Sequence, residues 1–420
     1  MLNRVLITTS TLPRWSGDVE PRFVLDLARH LRPWYEPTIL SPATPGSSCE
    51  ETLEGVRVIR YRYAPTRRLE VLAGSGGIMP RTRQQPLTIG LIPLLLAGLY
   101  AAIRRELLRN SYQLVHAHWL IPQGLVQSLF NKASAPPFVV TSHGGDFALQ
   151  NSRLLSAALR HIVHRATRLT VVAPDLCDDV RTLMPGFPAD TVPVIPMGVD
   201  TDRFSPGERR PDLIASLGLS GPIILFVGRL VEKKGAMSLV EAFAREPLRG
   251  TSASLLIIGD GPQAGALRQR VAQLGLGHRI RLHGALSHSA LPAFYASADI
   301  FCAPSVRAAS GDRDGTPTVL CEAAASGLPL VGTDFAGAPL IIVPNQTGLL
   351  VKPGDPAALA AALASLVRDP ARRQVMGRSA AQHAENFAWP VIARRHAEVF
   401  DDTIATIAAS RQRTRLPIRP

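Results

Sequence analysis

The chain is poor in aromatic residues, which make up 5% of its 420 positions, and it holds four cysteines, Cys49, Cys177, Cys302 and Cys321. No two of them fall in a C-x-x-C pair or at zinc-ligand spacing, which argues against a disulfide scaffold or a thiolate metal site. Reduced thiols in a cytosolic enzyme are expected. The net charge of +13 comes without any recognised nucleic-acid motif or basic-aromatic interleaving, so no nucleic-acid partner is expected. The opening Met1–Ser10 has too short an apolar run for a signal peptide and reads as a first strand, again pointing to the cytosol. The apolar run Leu87–Ile103 spans 17 residues and carries Pro93, which makes it marginal for crossing a bilayer. It reads first as a helix packed in the first domain. The alternative is contact of this apolar region, with Arg67, Arg68, Arg81 and Arg83 before it, with an anionic membrane surface, peripheral on its inner face.

Aliphatic residues, by contrast, are plentiful: 46% of the chain is hydrophobic. Apolar runs alternate with helical patterns from end to end, the mark of parallel sheets built from βαβ units, and the length suits two domains. Strands are expected at 4–9, 37–40, 56–61, 114–117, 137–141 and 168–172, with a helix over 21–31 after the first. The pattern restarts with strands at 222–227, 254–258, 280–283, 300–303 and 330–332 and a helix over 236–245. The Pro- and Gly-rich stretch from about 194 to 221 is the expected linker and hinge. The expected domains are 1–195, 196–388, and a C-terminal piece 389–420, helical over 389–409. The arginine-rich tail 411–420 reads as disordered.

The most informative stretch is Asp314-Gly-Thr-Pro-Thr-Val-Leu-Cys-Glu322. Thr316 reads as the N-cap and Pro317 as the first residue of a helix that Gly327 stops. Asp314 then lies just outside the positive end of that helix, which attracts anions such as a diphosphate, and Glu322 lies inside it. One acid can reach a sugar and the other a ribose.

An acidic residue, seven intervening positions and a Glu leading a small-residue helix resemble the E-x7-E signature of the retaining GT-B glycosyltransferases of family 4 (glycosyl transferases group 1). Val227-Gly228-Arg229-Leu230 with Lys234-Gly235 resembles the group's diphosphate-binding Arg and Lys. Ile258-Gly259-Asp260-Gly261-Pro262 is similar to its G-D-G-P turn, and Ser142-His143-Gly144-Gly145-Asp146 to its H-G-x-D segment. Pro196-Met197-Gly198-Val199-Asp200 is similar to its P-N-G-V-D linker entry, with Met for Asn. The matches run in order from about residue 4 to residue 390.

The resemblance implies a GT-B fold, two Rossmann-like doubly wound parallel-sheet domains facing a cleft, with the C-terminal helix crossing back to the first domain. It implies a hexosyltransferase that moves a hexose-type sugar from a nucleoside-diphosphate sugar to a sugar or lipid-linked acceptor, with retention, in polysaccharide or glycolipid assembly. A sugar-nucleotide epimerase or hydrolase, or a non-catalytic nucleotide-sugar binder, would share the scaffold. His143, Arg229, Lys234 and Asp314 are the expected catalytic residues. Gly17, Gly228, Gly261, Gly315, Thr316, Thr318 and Glu322 join Arg229, Lys234 and Asp314 in holding the donor, Glu322 through the ribose hydroxyls.

Arg229 and Lys234 are expected to grip the diphosphate, as a bidentate and a point-charge donor respectively; the competing reading for Lys233 or Lys234 is a salt bridge to Glu232. Asp18 is a candidate base, and Asp146 either orients His143 or caps the next segment. No cofactor or metal is expected, since fixed cations do a metal's work. Asp312-Arg313-Asp314 is read as a chance D-x-D, and His116-Ala117-His118 lacks a third zinc ligand. The chain departs from the family pattern at Asp314 (usually Glu), at Pro317, which removes a backbone donor, at the single Gly17, and at Leu340, where Glu is frequent.

Overall fold

The computed structural model describes residues 2–18, 20–73, 78, 81, 82, 85–130, 135–150 and 152–415. The chain divides into two compact units. The first comprises Met1–Val172, Leu176–Ile195 and Pro390–Pro420; the second comprises Ala173–Asp175 and Pro196–Trp389.

The first unit holds a seven-stranded sheet: β1 (Asn3–Thr8), β2 (Tyr35–Pro42), β3 (Glu50–Leu53), β4 (Val56–Tyr61), β5 (Leu114–His118), β6 (Phe138–Ser142) and β7 (Arg168–Val171). Its order is β3-β4-β2-β1-β5-β6-β7, and all pairs are parallel except β3 with β4. The second unit holds β8 (Ile223–Val227), β9 (Ser254–Ile258), β10 (Ile280–Gly284), β11 (Ile300–Ala303), β12 (Leu330–Thr333) and β13 (Gly348–Val351) in the order β10-β9-β8-β11-β12-β13, all parallel. Strand β8, Ile-Ile-Leu-Phe-Val, is buried along its whole length, which is why it reads as an unbroken apolar run rather than an alternating one. Its side chains divide between two cores, Ile223, Leu225 and Val227 on one face of the sheet and Ile224 and Phe226 on the other.

The expected α/β class and doubly wound sheets are found, with the expected strands placed to within two residues. Strands β3 and β13 were not expected. In each sheet the order reverses once, between β1 and β5 and between β8 and β11. Loops leaving the carboxyl ends of strands at such a reversal are where open α/β sheets bind ligands.

Three local expectations are corrected. The helix after Asp314 runs Thr318–Ala325 with extended Pro317 (φ −71°, ψ 103°) as its N-cap and no side-chain cap, so Thr316 is one residue too early to cap it. The C-terminal helix continues to Arg415, so residues 411–415 are helical and the tail expected to be disordered shrinks to 416–420, outside the described residues. The apolar run opens as a 3-10 helix, Pro86–Leu91, and is α-helical from Ile92, with Pro93 in the first α-helical turn where no N–H is missed. That helix, Ile92–Arg109, buries Leu95, Leu99, Ala102, Ile103 and Glu106. Leu87 (96% exposed), Ile89, Leu94, Tyr100 and Leu108 stay open, so the run is packed along one face only. Arg83 lies outside the described residues.

Candidate active site

In the second unit, two loops from the reversal point meet at an ion pair. The loop after β8 begins with Gly228 and exposed Arg229 and ends at Gly235, which opens the helix Ala236–Phe243. Gly235 has φ +69°, and a Cβ there would sit 1.8 Å from the Pro304 carbonyl oxygen. Only glycine lets this loop press against the one leaving β11. That approach brings Lys234 Nζ to 2.9 Å from Asp314 Oδ2. Lys233 Nζ reaches Asp312 at 3.2 Å and Asp314 at 3.7 Å, and Ser305 Oγ donates to Asp314 Oδ2 at 3.2 Å.

Asp314 is buried, which by itself would raise its pKa; the Lys234 and Lys233 ammoniums and the Ser305 hydroxyl outweigh burial and hold the carboxyl below its ordinary value. Glu232 instead accepts from the Ala309 backbone N–H at 2.9 Å, so the expected alternative, a Glu232 ion pair with these lysines, is corrected.

The G-D-G-P turn supports this loop from behind. A Cβ on Gly259 would lie 1.9 Å from the Gly228 carbonyl oxygen, and one on Gly261 2.6 Å from that of Leu230. Leu230 N–H donates to the Asp260 carbonyl, and Gln263 N–H to the Leu230 carbonyl. Gly261 is thus placed as a buttress of the 228–230 backbone. Gly337 does the same for the acidic loop: its N–H donates to the Gly315 carbonyl, and its missing Cβ leaves room for Thr316. Thr318 opens the following helix, where first-turn N–H groups have no intrahelical partner.

Glu322 lies in that helix, 8% exposed. Tyr295 Oη donates to its Oε2 at 2.8 Å and His288 Nε2 lies 3.3 Å from its Oε1. His288 Nδ1 in turn faces Arg203 Nη1 at 2.8 Å. None of Arg203, His288, Tyr295, Lys233 or Ser305 was picked out from the sequence as a site residue. They come from five different loops and helices, and only Lys233 is adjacent to a motif residue.

The first unit centres on uncharged groups. His143, after β6, meets His118 at the end of β5, Nε2 to Nδ1, at 2.9 Å. Their ring planes differ by only 22° with centroids 5.2 Å apart, the separation of two rings meeting edge to edge in an N–H···N bond. Trp119 and Phe23 pack on His143. His116 bonds Thr141 Oγ1 at 2.7 Å and stands 5.2 Å, ring to ring, from His396. Burial pushes all four imidazoles down, His143 to about 3 and His396 to about 4, and His116 and His118 well below the ordinary range.

Asp146 is pushed up to about 6 by burial, against the pull of the Ser142 hydroxyl and the Leu120, Ile121 and His143 backbone N–H groups. Those groups are its partners, at 2.9, 2.9, 3.5 and 3.4 Å respectively. It therefore fastens the loops after β5 and β6 together, and of its two expected roles, orienting His143 or capping the next segment, it holds His143 through the backbone N–H and not through the ring. Asp18 is also corrected: Arg14 closes on it with Nη2 at 2.6 Å and Nε at 2.8 Å, so it is not a free base. Gly17 keeps φ +83° with nothing within 4 Å of where a Cβ would be, so glycine is there for its backbone. Among the described residues no three His, Cys, Asp or Glu side chains are grouped to hold a metal ion.

The structure thus brings Lys234 and Asp314 into contact, sets Gly228, Gly315, Thr316, Thr318 and Glu322 on the same two loops and the helix they lead into, and keeps His143 and Asp146 in the other unit.

Residues 212–383 match the family described as glycosyl transferases group 1, and residues 21–203 that described as glycosyltransferase family 4. The chain is 30% identical over 328 residues to a D-inositol 3-phosphate glycosyltransferase of Corynebacterium glutamicum, covering 73% of this chain and 76% of the other. It is also 30% identical over 282 residues to a GDP-mannose-dependent alpha-(1-6)-phosphatidylinositol monomannoside mannosyltransferase of Mycolicibacterium smegmatis, covering 66% and 73%. In fold it is similar to a sucrose-phosphate synthase from Thermosynechococcus elongatus, with TM-score 0.75 and 21% identity over 96% of this chain and 100% of the other. A second likeness is Anabaena Alr3699/HepE in complex with UDP, with TM-score 0.68 and 18% identity over 96% and 100%.

Proposed function

The chain belongs to the family 4 glycosyltransferases, and on that premise we propose that it transfers a hexose-type sugar, with retention of configuration, from a nucleoside diphosphate to a sugar or lipid-linked acceptor in glycolipid or polysaccharide assembly. The observation that carries this reading is the Lys234–Asp314 pair at 2.9 Å, with Glu322 on the helix that follows.

As the glycosidic bond breaks, negative charge collects on the diphosphate. Arg229, Lys234 and the helix start at Thr318 supply fixed positive charge for it. Lysine has three N–H donors, so Lys234 can keep Asp314 on one and take a phosphate oxygen on another. Asp314, one methylene shorter than glutamate, receives the sugar hydroxyls together with the N–H groups of Gly315, Thr316 and Thr318. Glu322 receives the ribose hydroxyls. His143, uncharged, offers a hydrogen bond to the donor sugar without adding a like charge to the cations. With this charge supplied by the chain, transfer proceeds without a metal ion.

The acceptor side of the proposal includes an anionic membrane surface on the cytosolic face. The helix Ile92–Arg109 and the turn before it leave Leu87, Ile89, Leu94 and Tyr100 open, and Arg104, Arg105 and Arg109 end the helix. Apolar side chains beside arginines are what an interfacial helix presents to anionic lipid. One named relative acts on phosphatidylinositol monomannoside, a lipid. Cosedimentation with phosphatidylglycerol-containing vesicles should be lost in a Leu87→Asp, Leu94→Asp double variant. Equal pelleting of both proteins would remove the membrane from the proposal.

A thermal-shift screen with UDP, GDP, ADP and their sugars should single out one nucleotide, and that sugar nucleotide should give a glycosylated product. Release of free sugar with every acceptor class tried would favour a hydrolase and sink the transfer reading.

A further inference from the structure

We propose that His288, set by Arg203, is a positioning residue that holds Glu322 for the ribose of the donor nucleotide. The proposal rests on the reading of Glu322 as the ribose acceptor given above. The direction of each hydrogen bond follows from chemistry. A guanidinium has only donors, so with Arg203 Nη1 2.8 Å from His288 Nδ1, that nitrogen carries the lone pair. The single proton of the neutral imidazole is then on Nε2, facing Glu322 Oε1 at 3.3 Å. Tyr295 donates its hydroxyl to the other carboxylate oxygen at 2.8 Å. Each oxygen of Glu322 thus takes one donor from the protein and keeps acceptor capacity for one ribose hydroxyl.

The pair is itself braced. Arg203 backbone N–H donates to Asp200 Oδ1 at 3.1 Å, and its Nε lies 3.8 Å from Asp200 Oδ2. The buried Phe204 meets the His288 ring edge-on at 5.1 Å and the Tyr295 ring at 5.5 Å. With the carboxylate oriented before the ligand arrives, less freedom is lost on binding.

The experiment is calorimetric titration of UDP, GDP and their 2′-deoxy forms into the full chain, its His288→Phe, His288→Gln and Glu322→Gln variants, and the His288→Phe, Glu322→Gln double variant. His288→Phe should weaken the ribonucleotide by roughly 5- to 10-fold and the deoxynucleotide distinctly less. Glutamine can accept from Arg203 and donate to Glu322, so His288→Gln should recover most of the loss. His288→Phe should add nothing in the Glu322→Gln background. If Glu322→Gln discriminates ribose from deoxyribose but His288→Phe does not, or if the two losses add, the positioning role is overturned while the ribose reading stands. If Glu322→Gln weakens both nucleotides equally, the ribose reading falls and the proposal with it.

Discussion

At the candidate site of the second unit the polar groups carry charge and are paired, half-buried Lys234 and Lys233 against buried Asp314 and half-buried Asp312. Around His143 in the first unit the buried rings are neutral imidazoles, bonded to one another or to threonine, while the buried charges of that unit, Asp26, Arg60, Glu70 and Glu106, sit in ion pairs elsewhere. Fixed charge answers charge that develops on a leaving diphosphate, and it has to be held in readiness by a counter-ion that the chain supplies itself. Neutral donors and acceptors answer hydroxyl groups, which carry none. On the proposed reading, the charged groups are kept for phosphate chemistry and His143 is kept uncharged by burial.

The strongest challenge to this comparison is Lys234→Ala, which should lower kcat by roughly 10²–10³-fold and leave Asp314 with fewer counter-charges. Stability should fall by about 3 kcal/mol or somewhat less, since the pair is not fully buried. A Lys234→Met, Asp314→Asn double variant should recover the melting temperature but not the turnover. Recovery of both would mean the pair is structural. His143→Ala should cost roughly 10- to 100-fold in transfer while leaving the Kd for the nucleoside diphosphate unchanged. A matching loss in nucleotide affinity would erase the division of labour.

Acid separates the units next. His116, His118 and His396 are bases whose folded pKa lies below the unfolded 6.5, so below that pH the unfolded chain binds more protons and stability falls with pH. Each can cost up to about 1.4 kcal/mol per pH unit in that window. Asp146, raised to about 6, works the other way between pH 6 and 4 and offsets about one of them. Asp314, a lowered acid, loses its contribution only below the ordinary carboxyl range of 3.8. Hydrogen exchange at pH 7 and pH 5 should therefore show β5 and β6 losing protection while β8 and β11 keep it, and uniform loss would contradict this. The smallest effect is a null one: EDTA should leave turnover unchanged, and complete loss would restore a metal to the mechanism.

Most strands could be read from the sequence because parallel strands buried on both faces are continuous aliphatic runs. Strand β3, Glu-Glu-Thr-Leu, could not: it is a short, charged antiparallel edge. Strand β13 starts on Gly348, whose missing Cβ makes room for the Leu330 carbonyl, and a glycine reads as a breaker. Helix for residues 411–415 was missed because composition suggested disorder, although extending a formed helix by a turn needs no new nucleus.

Candidate site residues could be picked out where they lie in the loop that follows a strand, Arg229 and Lys234 after β8, His143 after β6 and Asp314 after β11. His288 and Tyr295 reach Glu322, and Arg203 reaches His288, from distant parts of the chain, and no local pattern marks them. His118 stood in plain view beside His116. Its role was missed because the pair was weighed only as metal ligands, while its partner lies 25 residues on.

The central claim is that the Lys234–Asp314–Glu322 centre receives the donor nucleotide. Hydrogen exchange with and without the nucleoside diphosphate chosen by the thermal-shift screen tests it most directly. Protection should rise in peptides covering 228–235 and 314–326 and be lost in Lys234→Ala; undisturbed exchange there, with protection elsewhere, would contradict the account.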